Sequence, residues 1–385
     1  MRTQPVRPVD LRPNIATALE RSSYTSPGIF DLEMERIFRK QWLFAGHVSQ
    51  VREPGHFIVE QVCGESVVIV RETENQIGAF LNVCRHRGHP LVQETSGTIA
   101  NFTCPYHHWS YTLGGSLRRA PGMADGTVFD YSDFSLQRVQ TEIWNGFIFI
   151  WLGIEDAPAL AALLRSGDGD FKRVSPERVK EVFRESYDIQ ANWKVLLENY
   201  LECYHCAGSH PELCVSMDVT ATYASTGSDW TGAYFSGGLQ LRPGMMTASL
   251  DGRLVSKPLG EFASIDARDL PAEFSAGIGI VPALTRLMFH IDHGVAHSMR
   301  PIDVEHVRWE TRWYVSEDAV EDRDYRLADV TDVWKRTNAE DISLCEGAYS
   351  GVKSARFVPG PLHPQREAAI ISALAEYNTL MNSQA

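Results

Sequence analysis

The sequence predicts an α+β chain of two domains, a small antiparallel β domain followed by a larger one in which helices flank an antiparallel sheet. Three observations carry this. β-Branched and aromatic runs, broken by Gly and charged turns, fill residues 42–153. Strand patterns return after residue 179, now separated by long helical stretches. The 385 residues exceed one ordinary domain and suit two.

Residues 1–30 are polar and rich in Pro and Ser, which reads as an arm with a short helix. From Asp31 to Gln41, Leu32, Met34, Ile37 and Phe38 recur at near-helical spacing, so residues 1–41 form an arm and helix packing on the second domain. Phe57–Val62, Ser66–Val70 and Phe147–Trp151 are the strongest strand runs of the β domain, residues 42–155. Residues 154–178 are rich in Ala, Asp and Gly around Ser166–Asp170, and the boundary is placed there. In the second domain, residues 178–385, Lys180–Ile189 reads as a strand and Asn192–Cys206 as a helix. Further strand patterns cover 281–292, 295–300 and 306–315, where Val307, Trp309, Thr311 and Trp313 alternate with charged residues. Ala328–Val352 reads as a long helix, and a terminal helix covers 364–381.

The formal charge of −13 disfavours nucleic acid and anionic lipid as partners. No segment is apolar for long enough to span a membrane. The start, Met1-Arg2-Thr3-Gln4-Pro5, has no apolar core of a secretory signal, so a cytoplasmic location is expected. Cys63, Cys203, Cys206, Cys214 and Cys345 are accordingly expected as reduced thiols.

The other two cysteines carry the chemistry. Cys84-Arg85-His86 and Cys104-Pro105-Tyr106-His107 each give one thiolate and one imidazole, with 17 residues between the pairs. A His pair in place of a Cys pair on one iron marks a Rieske 2Fe–2S centre. Cys84 and Cys104 are read as ligands of one iron, and His86 and His107 as ligands of the other. Neutral imidazoles leave the cluster less negative and raise its potential to about −150 to +300 mV. A structural zinc site is the competing reading, but zinc fingers group Cys with Cys and His with His. The flanks fit a cluster clamped between β-loops: Ala79–Val83 enters the first loop, and Trp109–Leu113 leaves the second toward a Gly114-Gly115 turn.

Such a cluster moves one electron at a time and needs an acceptor. The densest polar cluster of the second domain is Glu198–His205 followed by Cys206–Pro211. A non-haem Fe(II) oxygenase site needs two His, one carboxylate and open positions. His205 and His210 would diverge by about 140° on an unbroken helix. Gly208 and Pro211 supply a break that lets His210 fold back. A closed zinc site using Cys203 or Cys206 is the alternative. Glu202, three residues before His205, suits a hydrogen bond that orients the metal-bound ring. The third ligand is sought on the helix after Ala328, whose apolar stripe passes Val330, Val333, Trp334, Leu344, Cys345, Ala348 and Val352. Asp341 falls on that stripe, where a carboxylate is costly unless paired or metal-bound. Glu340 and Glu346 lie nearer to solvent on this reading. A salt bridge from Asp341 to an arginine is the alternative.

From about residue 24 to the terminal helix, the chain resembles the catalytic alpha subunit of Rieske non-haem iron oxygenases. The resemblance rests on Cys84–Gly88, Cys104–His107, Asn192-Trp193-Lys194, Glu198-Asn199, Glu202–His205, His210-Pro211 and Glu340-Asp341, in that order. It implies a Rieske β domain plus a helix-grip-like catalytic domain, with His205, His210 and Asp341 binding mononuclear Fe(II). It also implies a homotrimer, in which Glu202 links His205 to His107 of the partner subunit. Many members carry Asp at that position; the betaine and carnitine branch carries Glu. Electrons from NAD(P)H arrive only through a separate flavin or iron–sulfur reductase, and O2 is the cosubstrate.

Substrate is less legible, and no substrate-binding residue is assigned from the sequence. Arg85, Glu202, Tyr106–Tyr111 and His290–His293 look most like the branch acting on quaternary ammonium compounds, similar to betaine demethylases and carnitine monooxygenases. Oxidising an N-methyl carbon gives a hemiaminal that releases formaldehyde. An aromatic cage would suit such a cation, with Trp230, Tyr234, Phe235 and Phe289 as candidates. Arg242 and Arg286 keep open an aromatic-ring hydroxylating dioxygenase acting on an aromatic acid. A Rieske electron carrier without oxygenase chemistry should stop near residue 150, and this chain does not.

Overall fold

A computed structural model describes residues 15–123, 129–220, 230–231, 234–237 and 239–382. In chain order the strands are β1 (Leu43–His47), β2 (His56–Val62), β3 (Glu65–Thr73), β4 (Gln76–Leu81), β5 (Ser96–Thr98), β6 (Phe102–Thr103), β7 (Ser110–Tyr111), β8 (Leu117–Arg119), β9 (Arg138–Trp144) and β10 (Phe147–Trp151). Then come β11 (Val179–Ile189), β12 (Trp230–Thr231), β13 (Tyr234–Ser236), β14 (Ala276–Ile280), β15 (Thr285–Phe289), β16 (Gly294–Pro301) and β17 (Val307–Ser316). The first sheet has the order β1-β10-β9-β4-β3-β2-β5, and a three-stranded sheet, β6-β7-β8, carries the second Cys-His loop. The second large sheet has the order β11-β17-β16-β15-β14-β13-β12. Pairing within the large sheets is antiparallel, as expected for α+β.

The two large sheets are tied together by buried charge. Arg312 on β17 meets Glu60 of β2 at 2.7 Å and Glu310 at 2.6 Å, and Arg184 of β11 reaches Glu60 at 3.2 Å. Arg312, Glu60 and Glu310 stay buried because their charges face one another, while Arg184 joins them from the exposed side. The charged positions that alternate with Val307, Trp309 and Thr311 therefore do not all face water: Glu310 and Arg312 face the first sheet.

Several elements shift from expectation. The first long helix is Pro27–Arg36, opened by Pro at its first turn and capped by Ser26, so it starts earlier than Asp31. Residues 154–178 are not a loose linker. They form short helices, Leu160–Leu163 and Asp168–Val174, whose Leu160, Leu164, Phe171 and Val174 are buried in the core between the sheets. The strand pattern over 281–292 holds only the strand β15, because 281–284 form the turn that joins it to β14, a strand the pattern did not include.

The helix predicted over Asn192–Cys206 runs only from Trp193 to Tyr200, after an Asn192 cap whose side chain accepts from Lys194 N. Its base is locked. Glu33 of the N-terminal helix takes Lys194 Nζ at 2.6 Å, Trp193 Nε1 at 2.7 Å and Tyr377 Oη at 2.7 Å. The helix Leu327–Val352 matches its prediction closely, and Ala368–Asn382 closes the fold. On the long helix Val330, Val333, Trp334, Cys345 and Val352 are buried, whereas Leu344 and Ala348 are exposed. The stripe is narrower than the apolar pattern implies, because polar Thr331, Thr337 and Asn338 complete it.

Candidate active site

The two Cys-His loops share one geometry. In the first, Cys84 N donates to His89 O and Gly88 N donates back to Cys84 O. In the second, Cys104 N donates to Trp109 O and His108 N donates back to Cys104 O. The fifth residue of each loop, Gly88 or His108, has a positive φ of 75° or 57°. Both thiols are therefore buried and both imidazoles project outward, half-buried. The His86 and His107 ring centroids are 4.5 Å apart, and His86 stacks on Trp109. Tyr111 Oη lies 3.3 Å from Cys84 Sγ. Burial pushes the Cys104 thiol up, while the N–H groups of Tyr106 and His107 point at it and favour thiolate. His86 Nδ1 is buried with no protein partner. Two buried sulfurs facing two imidazoles, one with an orphaned nitrogen, fit a 2Fe–2S cluster.

The second site forms where the Trp193–Tyr200 helix ends. Residues 201–205 turn, and Cys206–Ser209 makes one short helical turn before His210. This break brings both imidazoles to one point. His205 Nε2 and His210 Nε2 are 3.0 Å apart, and Asp341 Oδ1 lies 3.2 and 3.1 Å from them. Asn199 Nδ2 approaches His205 Nε2 at 3.5 Å. Asp341 faces two imidazoles rather than an arginine. Burial works against its ionised form, but the contacts to His205 and His210 outweigh it and lower its pKa.

The outer ring nitrogens are also held. His205 Nδ1 bonds Glu202 Oε1, and His210 Nδ1 lies 2.7 Å from Glu340 Oε2. Glu202 reaches His205 from a turn, not along a helix face. Glu340 does lie nearer to solvent than Asp341, and it also bonds His210, a contact that needs the fold to be seen. Burial disfavours protonation of His205, but Asp341 and Glu202 outweigh it and raise its pKa to about 9. Two imidazoles and one carboxylate converging with their far sides held are a donor set that fits non-haem Fe(II).

Cys203 and Cys206 are not the free thiols expected. A disulfide joins them, with Cα atoms 4.8 Å apart across the turn. A separation of three places both side chains within disulfide reach, on a helix face as in this turn. Cys206 lies beside His205 and His210 but has no thiolate to offer a metal in this state.

A cavity with about 740 Å³ of empty space opens onto the His205, His210 and Asp341 side chains. Its walls include Tyr200, Leu213, Phe235, Leu239, Met288 and Trp334. Of the candidate cage residues whose side chains are described, Phe235 lines it and Tyr234 and Phe289 do not. Tyr234 and Phe289 belong to the core on the other face of the sheet, where Phe289 packs on Phe147 and Phe171. The side chain of Trp230 lies outside the described residues. Alternation along β13 and β15 sends neighbouring residues to opposite faces, which the aromatic count ignored. Phe235 lies across Gly279 on the next strand, where a Cβ would sit 2.1 Å from its ring.

Arg286 lines the same cavity and Arg242 does not. Arg242 is exposed and bonds Met217 O. Arg286 is buried, bonds Gly237 O through Nη2 and stacks over Phe235 with 4.7 Å to the ring centroid. Burial lowers its pKa to about 10. Beside it on the sheet, His297 stacks on Trp309 and contacts Tyr200 and Trp334, and burial holds it down to about 3, hence neutral.

Comparison with known proteins agrees with this architecture. Residues 41–138 match the Rieske 2Fe–2S domain, and residues 176–383 match the ring hydroxylating alpha subunit catalytic domain. The glycine betaine monooxygenase oxygenase subunit of Pseudomonas aeruginosa is 32% identical, covering 94% of this chain and 89% of its own. A solved quaternary ammonium Rieske monooxygenase, CntA, in complex with L-carnitine superposes with a TM-score of 0.74 at 25% identity, over 95% of this chain and 96% of that one. Naphthalene 1,2-dioxygenase from Rhodococcus, 20% identical with a TM-score of 0.67 over 96% and 95% of the two chains, shares the fold. With a Rieske domain and a ring hydroxylating catalytic domain in one chain, and full-length likeness to known oxygenase subunits, this protein belongs to the Rieske non-haem iron oxygenases as a catalytic alpha subunit.

Proposed function

We propose that this chain is the oxygenase component of a system that oxidises a small quaternary ammonium compound at an N-methyl carbon. In this reading His205, His210 and Asp341 hold the mononuclear iron, and Cys84, His86, Cys104 and His107 hold the 2Fe–2S cluster. The observation that carries it is the convergence of His205 Nε2, His210 Nε2 and Asp341 Oδ1 within 3.2 Å, at the end of an aromatic-walled cavity. Bound iron and cluster supply oxygen activation with electrons from a separate reductase. The chain's own residues do the rest. Glu202 and Glu340 hold the two imidazoles with Nδ1 as the donor, leaving Nε2 free to ligate. Tyr200, Phe235 and Trp334 give a cation π-faces and keep water out. The relatives' own substrates, glycine betaine and carnitine, support the same class.

The domain division follows as residues 1–41, 42–155 and 178–385, and a homotrimer in the cytoplasm completes the reading. Glu202 then passes electrons from the cluster ligand His107 of the partner subunit to His205. Tyr106, beside His107, is 52% exposed, as a residue at such a contact would be in the isolated chain. The test is reconstitution with a reductase and NAD(P)H, measuring formaldehyde released from glycine betaine and carnitine. His205→Ala should keep the Rieske absorption and release none. Formaldehyde at the wild-type rate from that variant would reject His205 as a ligand. Turnover of benzoate to a ring diol, with no formaldehyde from either betaine, would replace the substrate class with an aromatic acid.

A further inference from the structure

Arg286 is the feature of the cavity that metal binding leaves unexplained. Its guanidinium is buried, and among the described residues no carboxylate lies within salt-bridge distance. Nη2 bonds a backbone carbonyl, and Nη1 is buried with no partner among the described residues. A buried cation normally recovers its lost hydration from an anion. The other buried arginine of this sheet does so: Arg312 faces Glu60, Glu181 and Glu310. Beside the Gly237 carbonyl, the Arg286 guanidinium meets the π-face of Phe235, which holds its plane without neutralising it.

Its place in the sheet sets what it faces. Gly279, Arg286, His297 and Thr311 are successive cross-strand partners on β14 to β17, so they share one face. That face is the cavity side, where Met288 also points. His297 pairs with Arg286 across the sheet and packs its ring on Tyr200 and Trp334 of the cavity wall. Its Nε2 is buried and unpartnered too. The cavity wall thus carries the carboxylates Glu202 and Asp341, the aromatic rings of Tyr200, Phe235 and Trp334, and the cation Arg286.

We propose that Arg286 Nη1 binds the carboxylate of a zwitterionic substrate, so that the site selects quaternary ammonium acids over quaternary ammonium alcohols and turns the N-methyl end toward His205, His210 and Asp341. This rests on the quaternary ammonium reading above. The carboxylate completes the unpaired guanidinium, and the aromatic wall takes the ammonium group. A hydrogen bond between charged groups of this kind is worth a preference of about 10- to 100-fold.

The test is calorimetric binding to the protein with both iron sites filled. The probes are glycine betaine, choline (the same cation with a hydroxymethyl group for the carboxylate) and benzoate. Wild type should bind glycine betaine about 10- to 100-fold more tightly than choline. Arg286→Met should bring that ratio near one, and Arg286→Lys should fall between, since Lys keeps charge but not the fork. Far-UV circular dichroism and the Rieske absorption report folding; if the Met variant fails to fold, the Lys variant decides. Equal binding of choline and glycine betaine by wild type overturns the proposal. So does a folded Arg286→Met protein with wild-type affinity for glycine betaine. If wild type binds benzoate but neither cation, and Arg286→Met loses benzoate, the ammonium reading falls while the carboxylate role of Arg286 stands.

Discussion

Glu340→Ala separates a metal-holding role of the His210 contact from a merely structural one. His210 is almost fully buried, and its Nδ1 lies 2.7 Å from Glu340 Oε2. To ligate through Nε2, the ring must keep its proton on Nδ1, and Glu340 fixes that tautomer and the ring's rotation. Removing the acceptor leaves a buried N–H unsatisfied, or lets the proton move to Nε2 and block the lone pair. Loss of such a contact costs about 10- to 100-fold in metal affinity, or about 1.4–2.7 kcal/mol. Glu340 is partly exposed, so water can replace some of the bond and the lower half of that range is expected. Glu340→Gln keeps an acceptor oxygen without the charge and should lose less. The assay is iron retention against a graded chelator, followed by iron count, with the Rieske absorption as internal standard. If Glu340→Ala holds iron as tightly as wild type, His210 is not a ligand oriented by Glu340.

Three more outcomes are expected. Cys84→Ser should bleach the visible Rieske bands and leave about one iron per chain; an unchanged spectrum would remove Cys84 from the cluster. Glu202→Gln should leave both iron sites filled while slowing single-turnover oxidation of the reduced cluster, and wild-type single-turnover kinetics would end its bridging role. Burial lowers the pKa of His47 from 6.5 to about 4, with Nε2 3.0 Å from Pro176 O. The unfolded chain binds that proton first, so stability is fully present above pH 6.5 and is lost as pH falls through about 4, by up to about 3 kcal/mol. His47→Gln should flatten this acid limb in denaturant titrations from pH 7 to 4.5, and an equally steep limb in the variant would put the acid sensitivity elsewhere.

The amino-acid sequence alone determined what is local. Each Cys-His pair sits in a loop closed by its own backbone hydrogen bonds, so spacing and residue type suffice to identify a cluster site. The strand runs Phe57–Val62 and Phe147–Trp151 and the long helix ending at Val352 were legible because one sequence period fixes each. Only the tertiary structure decided what depends on distant packing. Glu340 looks like a surface residue until His210, 130 positions away, comes within 2.7 Å of it. The Cys203–Cys206 disulfide is likewise seen only in the folded chain, because a spacing of three permits a bridge without requiring one. Tyr234 and Phe235 are adjacent aromatics, yet the pleat gives one to the core and the other to the cavity. Arg286 is one of many arginines in the sequence. What distinguishes it is a buried Nη1 without a partner among the described residues, which only the fold makes visible.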